Sequence, residues 1–509
     1  MKKLLSAACR LALASAIAVS GVKGNSQSIE DIQRLFPGVV ADGVLAYIYG
    51  YPLMMFGVTG RTATTVANGT TKLGGAPLNQ FGKESTLPNY KFTAVVLPST
   101  STLYASSFLN LCNEPVIMHL PNMNGRFFIM QMLDGWTEVS KVSPGSNKGD
   151  GDGGDYALVG PSCDGHPIPV IPGSVRKTIT IPTSSMWIIG RVYTDGTPND
   201  LDYVTGPLFN QFTLTPLSKY VAGQPANLDD QPVQPYADTT TPPVNQVAAM
   251  DACAFFQNLA GMMNFNLPIP MQDDPILPAL LRLGLVAKDQ NGAIVGTNFD
   301  CTQLRQDKLA SLQKAVTLAQ KLLTSVDATQ SGPTGWVVSL DVGSYGRHYF
   351  LRAEVAQDAL GANLAQDAVY GYTKNDGKGI PLSGKRNYKI HFSPPGNNQG
   401  GIPPVVPGGF WSVTIYDLQG KLIQSPDLVN ANWNAVGMPP VNGHKACPNS
   451  DGSLDLYLQA SAPGPVGSQQ FYNWLPTPAT GGYIVFLRMY WPGPDITSGA
   501  YVPPPIAKN

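Results

Sequence analysis

Two long regions of the chain show the hydrophobic pattern of short β-strands. In residues 91–204, and again after Ser331, short apolar runs alternate with Gly, Pro, Asn and Asp. Apolar runs of this length between turn residues are typical of strands. The predicted strands lie at residues 92–97, 115–120, 126–133, 178–181, 186–193, 388–392, 410–416, 454–458 and 483–490.

The segment between these regions has a helical pattern. Residues 222–243 are rich in Pro, Gln, Asp and Thr, which predicts a linker. Helices are predicted over residues 247–263, 275–285 and 300–326, and the last of them carries apolar residues at helical spacing. Residues 28–56 also favour a helix, which Pro52 is expected to interrupt.

These patterns predict a mostly β protein with a helical insert. We divide it into a signal peptide (1–24), an N-terminal β-rich domain with a leading helix (25–221), a linker and helical segment (222–330) and a C-terminal β domain (331–509). A cleft between the two β domains is the expected place for a site.

The N-terminus has the features of a signal peptide. Lys2, Lys3 and Arg10 are positively charged, residues 11–19 are small and apolar, and Val19 and Gly21 are suitable for cleavage. This apolar run is shorter than the about 20 residues that span a bilayer, and no later segment is predicted to span one. We therefore expect a secreted or periplasmic protein; the alternative is an uncleaved N-terminal tail.

Composition limits the classes of partner that the protein is expected to bind. Charged residues are 13% of the chain and the net charge is −1, so no basic surface for nucleic acid and no polybasic membrane patch is expected. In an oxidising compartment the most plausible disulfides join Cys112 to Cys163 and Cys253 to Cys301. The alternative is that these cysteines stay reduced and buried as small apolar residues.

Common catalytic and cofactor motifs are absent from the sequence. It contains no G-x-S-x-G, H-E-x-x-H or P-loop motif and no G-x-G-x-x-G that opens a helix after a strand, so no cofactor is expected. The histidines are not spaced like metal ligands, and no metal site is predicted. The three aspartates of residues 150–155 are compatible with calcium, but a solvated loop is the preferred interpretation because Gly and Asp are ordinary turn residues.

Several arginines interrupt apolar, strand-like runs. Arg126, Arg191, Arg352 and Arg488 each lie beside such a run. A charge in this position faces solvent, forms a salt bridge or lines a polar cavity. Each arginine taken alone favours a structural role, but their recurrence in both halves favours an arginine-lined cleft that holds a carboxylate or sulfate.

Sequence motifs in both halves resemble one bacterial and viral family. In the N-terminal half they are residues 98–104, 114–116 and 125–128 with Asp134; in the C-terminal half they are residues 345–349, 409–416, 473–478 and 488–492. The chain resembles proteins that pair domains of unknown function 1254 and 1214. The resemblance implies two β-sandwich or jelly-roll-like domains with a helical insert, commonly in exported proteins.

One N-terminal motif departs from that family. Its usual form resembles P-N-x-D-T-L-Y, whereas Ser99 and Ser101 stand here in place of Asn and Asp. If that Asp is catalytic in relatives, this chain has lost a carboxylate and is a divergent or inactive member. Tyr104 is retained.

Our leading hypothesis is a hydrolase- or lyase-type enzyme that acts on a polar or anionic, carbohydrate-like substrate between the β domains. The alternative is a non-catalytic glycan-binding or envelope jelly-roll protein, and either is compatible with a homo-oligomer. The acid–base candidates are Tyr104, Asp134 and His348. The candidate substrate-binding residues are Arg126, Arg352, Trp411, Asn473, Trp474 and Arg488.

Overall fold

The computed structural model describes most of the chain after the predicted signal peptide, which lies outside the described residues. It is built mainly from β-sheets, with 28% helix and 27% strand, and this confirms the predicted mostly β class with helices. The described residues are 25–65, 75–91, 97–163, 165, 167–225, 238–325, 332–423, 435–441 and 446–509.

One group of helices forms a layer with its own apolar core. The core draws on the leading helices, on the predicted insert and on a helix that begins at Tyr349. The helices of the described chain are α1 (Asn25–Leu35), α2 (Gly38–Thr64), α3 (Pro198–Tyr203), α4 (Leu217–Val221), α5 (Pro243–Ala248), α6 (Ala252–Met263), α7 (Leu277–Leu283), α8 (Gln306–Ser325), α9 (Tyr349–Asp358), α10 (Gln469–Tyr472) and α11 (Pro494–Thr497).

Helix α2 corrects two expectations drawn from the sequence. It continues through Pro52 and ends only at Thr64, because its neighbours bury it along most of its length. By length and composition alone it is also long and apolar enough to cross a membrane, although no such segment was predicted. Within the protein, 94% of its apolar window is buried, as in the core helix of a globular domain.

The N-terminal domain contains two four-stranded sheets, which we call N1 (order β1-β2-β7-β4) and N2 (order β6-β5-β3-β8). Alternate side chains of both sheets meet in one apolar core that includes Leu103, Met130 and Tyr156. The strands are β1 (Gly82–Lys83), β2 (Thr102–Asn110), β3 (Val116–Leu120), β4 (Phe128–Asp134), β5 (Gly154–Val159), β6 (Lys177–Thr180), β7 (Ser185–Tyr193) and β8 (Thr213–Pro216).

The C-terminal domain repeats this arrangement with sheets C1 (order β11-β12-β18-β14-β15) and C2 (order β17-β16-β13-β19). Strands β9 (Val286–Lys288) and β10 (Ile294–Gly296) form a separate hairpin. The remaining strands are β11 (Val337–Ser339), β12 (Ala368–Thr373), β13 (Tyr388–Phe392), β14 (Val405–Asp417), β15 (Ala435–Met438), β16 (Leu454–Gln459), β17 (Trp474–Pro476), β18 (Tyr483–Pro492) and β19 (Ile506–Lys508).

Sheets N1 and C1 turn their outer faces towards each other. Phe127 and Ile129 at one sheet share an apolar cluster with Ala368, Phe410 and Tyr490 of the other. The inner faces are already used by the two domain cores, so the outer residues of the central strands β7 and β18 line the boundary between the domains. This boundary positions the candidate site.

The two disulfides expected from the sequence are present. Cys112 is joined to Cys163 in the N-terminal domain, and Cys253 is joined to Cys301 in the helical layer. Each closes a loop of about fifty residues within one part of the molecule, with sequence separations of 51 and 48.

Candidate functional site

A row of polar side chains crosses the outer face of sheet N1. Arg191 on the central strand β7 lies opposite Tyr104 on β2. Continuing the register of β1 and β2 places Glu84 opposite Tyr104, and the Glu84 amide donates to the Tyr104 carbonyl oxygen at 2.9 Å. Residues opposite each other on neighbouring strands project from the same face. Glu84, Tyr104 and Arg191 are therefore successive neighbours across this sheet.

Sheet C1 presents a matching row from the other domain. Arg488 on the central strand β18 lies opposite Tyr370 on β12 and opposite Ser412 on β14. Tyr490 lies two residues further along β18 and belongs to the same face. The two rows together form what we call the inter-domain arginine centre, defined by Glu84, Tyr104, Arg191, Tyr370, Arg488 and Tyr490.

Neutral groups hold the Arg191 guanidinium in place. It donates to the side-chain oxygen of Gln131, to Asn363 Oδ1 at 3.2 Å and to the carbonyl oxygen of Gly361 at 3.2 Å. Its central carbon lies 5.3 Å from the centre of the Tyr104 ring, within the range of a cation–π contact. Arg191 is only 8% exposed, so this charge is fixed inside the protein.

Arg488 is held in a similar way and connects the two domains. Its Nη2 donates to the carbonyl oxygen of Leu97 at 2.8 Å, and its Nη1 donates to Thr414 Oγ1 at 3.3 Å. The guanidinium stacks on Phe486, 4.4 Å from the ring centre, and lies 5.6 Å from the centre of the Tyr416 ring. It is 4% exposed.

Neither of these arginines has a carboxylate partner among the described residues. No ion pair within 4.0 Å involves Arg191 or Arg488, whereas Arg126, Arg282 and Arg352 each have one. A buried charge is costly unless it is paired. The centre therefore concentrates positive charge between the two domains and favours an anion.

Access to the centre is not fully closed. Tyr104, Tyr370 and Phe486 lie between the two sheets, yet each keeps part of its surface accessible to solvent. Tyrosine side chains that remain partly accessible next to buried arginines at a domain boundary are suitable for contact with a small polar molecule.

The pKa values of Glu84, Tyr104 and Tyr370 are all raised in the centre. Burial raises the pKa of Glu84 to about 8, although the hydrogen bond from the Tyr104 amide to Glu84 Oε2 at 3.2 Å acts in the opposite direction. Burial also raises the pKa of the Tyr104 and Tyr370 hydroxyls, which the neighbouring arginines only partly offset. At neutral pH the two tyrosines are therefore proton donors.

The segment with the divergent family motif lies beside this centre. Ser99 and Ser101 are buried, and their hydroxyl oxygens are 3.2 Å apart. The preceding carbonyl oxygens of Leu97 and Pro98 accept hydrogen bonds from Arg488 and Tyr416. Hydroxyl groups thus stand next to the arginine centre at the two positions where the motif departs from the form expected for the family.

A second buried polar cluster surrounds Arg352. This residue is fully buried on α9, and none of its guanidinium nitrogens makes a hydrogen bond within the described structure. The guanidinium lies 5.3 to 5.6 Å from the ring centres of Tyr49, Trp136 and Tyr349. Its Nη1 is 3.7 Å from Oε1 of Glu138, a residue in the turn after β4.

Carboxyl groups around Arg352 are held at raised pKa values. Burial, followed by the charge of Glu138, raises the pKa of Asp134 to about 7. Burial also raises the pKa of Glu138 and Asp273. Asp134 Oδ1 accepts hydrogen bonds from the amides of Trp136 and Glu138 at 2.8 and 3.0 Å, so this oxygen is engaged in the local turn. This cluster joins the helical layer to the N-terminal domain.

The predicted site residues therefore do not form a single site. Tyr104 and Arg488 meet in the inter-domain arginine centre, and Asp134 and Arg352 meet in the second cluster. Arg352 lies on a helix and not on the strand-like run expected from the sequence. His348 is exposed at the residue before α9, and its predicted catalytic role stays a prediction.

Arg126 lines a separate surface groove of about 530 Å³ between the two domains. It forms two hydrogen bonds with Asp200, at 2.5 and 3.0 Å, and one with the Tyr193 carbonyl oxygen. Burial alone would raise the pKa of Asp200, but the hydrogen bonds from Arg126 and Thr194 outweigh it and lower that pKa. The guanidinium also lies over the exposed ring of Tyr203.

Three predicted ligand residues lie inside the C-terminal domain. Trp411 is on the inner face of C1 and contacts Phe392 in the domain core. The Trp474 indole nitrogen donates to the Gln459 carbonyl oxygen at 2.8 Å, and Asn473 exchanges two hydrogen bonds of 2.7 Å with the Cys447 backbone. The structure gives these residues packing and hydrogen-bonding roles, and it does not bring them to the inter-domain arginine centre.

The sequence analysis missed several members of the arginine centre. In the sequence Arg191 is only a charge beside an apolar run, Tyr490 is only part of a family motif, and Tyr370 is not among the candidate site residues. Glu84 gave no signal, because β1 is a two-residue edge strand. Only the pairing of strands brings these residues together.

The described ranges contain no group of three or more His, Cys, Asp or Glu residues arranged to hold a metal ion. In the loop considered for calcium, Asp150 accepts from the Gly145 amide and the Tyr156 hydroxyl, and Asp155 contacts His119 and Tyr220. The carboxylates of Asp150 and Asp155 therefore form hydrogen bonds with other groups of the protein.

Comparisons with known proteins agree with this architecture. The family model described as a protein of unknown function (DUF1254) matches residues 78–216, and a second (DUF1214) matches residues 367–494. The chain is thus a two-domain protein with a helical layer, and it belongs to the family that pairs these two domains.

A solved structure shares the fold over nearly the whole chain. The crystal structure of the VPA0106 protein from Vibrio parahaemolyticus matches with a TM-score of 0.64 at 19% identity, covering 93% of this chain and 100% of that one. An uncharacterised protein from Burkholderia cenocepacia matches with a TM-score of 0.41 at 11% identity, covering 97% and 98% of the two chains. A comparison with curated proteins found no match.

Proposed function

We propose that the protein binds a small, carboxylate-bearing molecule between its two β domains, with Arg191 and Arg488 as the anchoring groups. One observation carries this proposal: two buried guanidinium groups, one from each domain, lie at the same boundary without an ion pair among the described residues. The planar guanidinium is well suited to bind a carboxylate through two parallel hydrogen bonds.

The surroundings of the two arginines support a binding role over a purely structural one. A structural buried arginine is normally compensated by a carboxylate, as Arg352 is by Glu138 at 3.7 Å. Arg191 and Arg488 are instead oriented by neutral amide, carbonyl and hydroxyl oxygens. This arrangement fixes the geometry of each guanidinium while leaving its charge uncompensated, which is the requirement for an anion site.

The proposal is tested by ligand-dependent stabilisation of the purified chain. We expect glucuronate, galacturonate, succinate or citrate to raise the melting temperature in a concentration-dependent manner, because a ligand that binds only the native state stabilises it. Glucose and galactose, which share the sugar ring without the carboxylate, serve as neutral controls. Phosphate and sulfate separate carboxylate selectivity from general anion binding.

Lysine variants distinguish a binding role from a structural one. Arg191→Lys and Arg488→Lys keep the charge but lose the planar fork, so we expect each to weaken carboxylate binding at least tenfold. Arg305→Gln removes an exposed arginine that pairs with the exposed Asp307 and should leave binding unchanged. Equal affinity of both lysine variants and the wild type for every carboxylate would contradict the proposal.

A second candidate function is glycan binding in the Arg126 groove. The observation that favours it is the Tyr203 ring, which is 39% exposed and lies at a groove that also contains Asp195. Aromatic faces next to carboxylates are suitable for sugar rings. Tyr203→Ala should abolish retention on immobilised glycans if this groove binds them, and unchanged retention would exclude it.

We further propose that the chain is exported and that each pair of sheets forms a β-sandwich of jelly-roll type. Disulfides persist in oxidising compartments, which supports export. The shared apolar core of N1 with N2, and of C1 with C2, supports the sandwich arrangement. Mass spectrometry of the secreted protein should find a mature N-terminus near residue 25, whereas an intact Met1 in a cytosolic fraction would contradict export.

A further inference from the structure

We propose that the inter-domain arginine centre catalyses β-elimination, with Glu84 as the base and the Tyr104 hydroxyl as the acid. The substrate class is a carboxylate that carries an oxygen leaving group on its β carbon, such as a uronic acid glycoside linked through O4. This inference rests on the proposed carboxylate-binding function and names the chemistry that the same site performs.

The geometry supplies the two proton-transfer groups next to the anchoring charge. Glu84, Tyr104 and Arg191 occupy successive positions across the outer face of N1. Two hydrogen bonds fix Glu84 against Tyr104: its amide donates to the Tyr104 carbonyl oxygen at 2.9 Å, and its Oε2 accepts from the Tyr104 amide at 3.2 Å. The Glu84 carboxyl is thus held directly beside Tyr104, whose other neighbour across the sheet is Arg191.

The two arginines stabilise the negative charge that makes proton removal difficult in this reaction. A proton next to a carboxylate is weakly acidic, because its removal adds a second negative charge to the carboxylate group. Guanidinium groups that bind this carboxylate stabilise the charge that develops on it, and such preorganised electrostatic stabilisation is commonly the largest catalytic contribution. Arg191 and Arg488 are oriented before any ligand binds, so they require little reorganisation.

The proposed step balances without a cofactor. Glu84 takes the proton from the carbon next to the carboxylate, and the electron pair of that C–H bond forms a carbon–carbon double bond. The bond between the β carbon and the leaving oxygen breaks with its electron pair on oxygen, and this oxygen takes the proton of the Tyr104 hydroxyl. Glu84 then returns its proton to the Tyr104 phenolate through solvent, which restores both groups.

The electrostatics of the two groups are compatible with these roles. Burial raises the pKa of Glu84 to about 8, which makes its carboxylate a stronger base than an exposed glutamate. Burial also raises the pKa of the Tyr104 hydroxyl, which therefore retains its proton until the leaving oxygen needs it.

The test uses the purified full chain with O4-linked oligomers of galacturonate, glucuronate and mannuronate. Turnover is followed by the ultraviolet absorbance of the new double bond conjugated to the carboxylate. We expect Glu84→Gln and Tyr104→Phe each to lower kcat at least about 100-fold, the usual contribution of a positioned acid or base. Their affinity for the oligomers, measured by calorimetry, should change less than threefold.

A matched control is available in the same domain. Glu114 is a half-buried glutamate that accepts a hydrogen bond from Ser218 on helix α4, away from the arginine centre, and Glu114→Gln should retain wild-type turnover. Wild-type kcat in Glu84→Gln would overturn the assignment of the base. Tight binding of the oligomers by the wild type without any unsaturated product would overturn β-elimination and leave carboxylate binding standing, whereas absence of binding would overturn both.

Discussion

Arg352 Nη1 lies 3.7 Å from Glu138 Oε1, and this pair joins helix α9 to the turn that follows strand β4. Glu138 in turn accepts hydrogen bonds from the amides of Tyr345 and Gly346 at 2.9 and 2.8 Å, in the loop that leads into the helix. The helical layer and the N-terminal domain are therefore connected by a buried charge and not only by apolar contact.

Replacing Arg352 with glutamine should destabilise the protein strongly. The change leaves Asp134, Glu138 and Asp273 without their common counter-charge and removes the contacts with three aromatic rings. Breaking a buried ion pair by removing one partner typically costs about 3–5 kcal/mol. Urea denaturation measures the loss, and Arg305→Gln, an exposed arginine, should change the free energy of unfolding by less than about 0.5 kcal/mol.

The pKa of Asp134 predicts how stability depends on pH. Its pKa is about 7 in the folded protein, above the ordinary value of 3.8, so the folded state binds more protons between these values. Stability linked to this group is complete below about pH 4 and is lost as pH rises through 7. The free energy of unfolding should fall less steeply over this window in Asp134→Asn than in the wild type.

The Asp134→Asn variant is a conservative one, since its side-chain oxygen still accepts from the Trp136 and Glu138 amides. Glu138 and Asp273 have raised pKa values as well, so a residual slope of the same sign is expected. Identical slopes for variant and wild type would show that Asp134 is ionised in the folded protein throughout this range.

The pKa of Glu84 predicts the pH profile of the proposed reaction. The base must be deprotonated, so kcat/KM should rise with pH and level off above about 8, the pKa of this group in the free protein. The ionisable groups that face the same centre are Tyr104, Tyr370 and Tyr490 with Arg191 and Arg488, and the arginines stay charged over this range. A profile that is flat between pH 6 and 9 would exclude Glu84 as the titrating base.

The sequence predicted the β regions and the helical insert, because these depend on local patterns, and it offered the two disulfides as one of two alternatives for the cysteines. It could not predict the inter-domain arginine centre, because Arg191 and Tyr370 come from separate strands, Glu84 follows a third, and only the pairing of the strands brings them together. The apolar run beside Arg352 was predicted to be strand-like, but it forms helix α9. A short apolar run has the same composition in a buried helix and in a buried strand, so the pattern cannot distinguish them.

Helix α2 is a second case in which tertiary packing outweighs a local sequence preference. Proline disfavours a helix interior, yet the packing of α2 against other helices outweighs this local preference at Pro52. Tertiary burial of this kind has no signature in a short window of sequence.

The close approach of helices α2 and α8 gives a last prediction about stability. A Cβ atom at Gly43 would lie 2.7 Å from Ala315 Cβ, and neither atom can move without its backbone. Gly43→Ala should therefore cost about 1–3 kcal/mol, the usual cost of overpacking a core. Gly261→Ala, in the exposed interior of α6 with open space around it, should instead stabilise the protein by up to about 1 kcal/mol. Equal effects of the two substitutions in thermal unfolding would contradict the packing of α2 against α8.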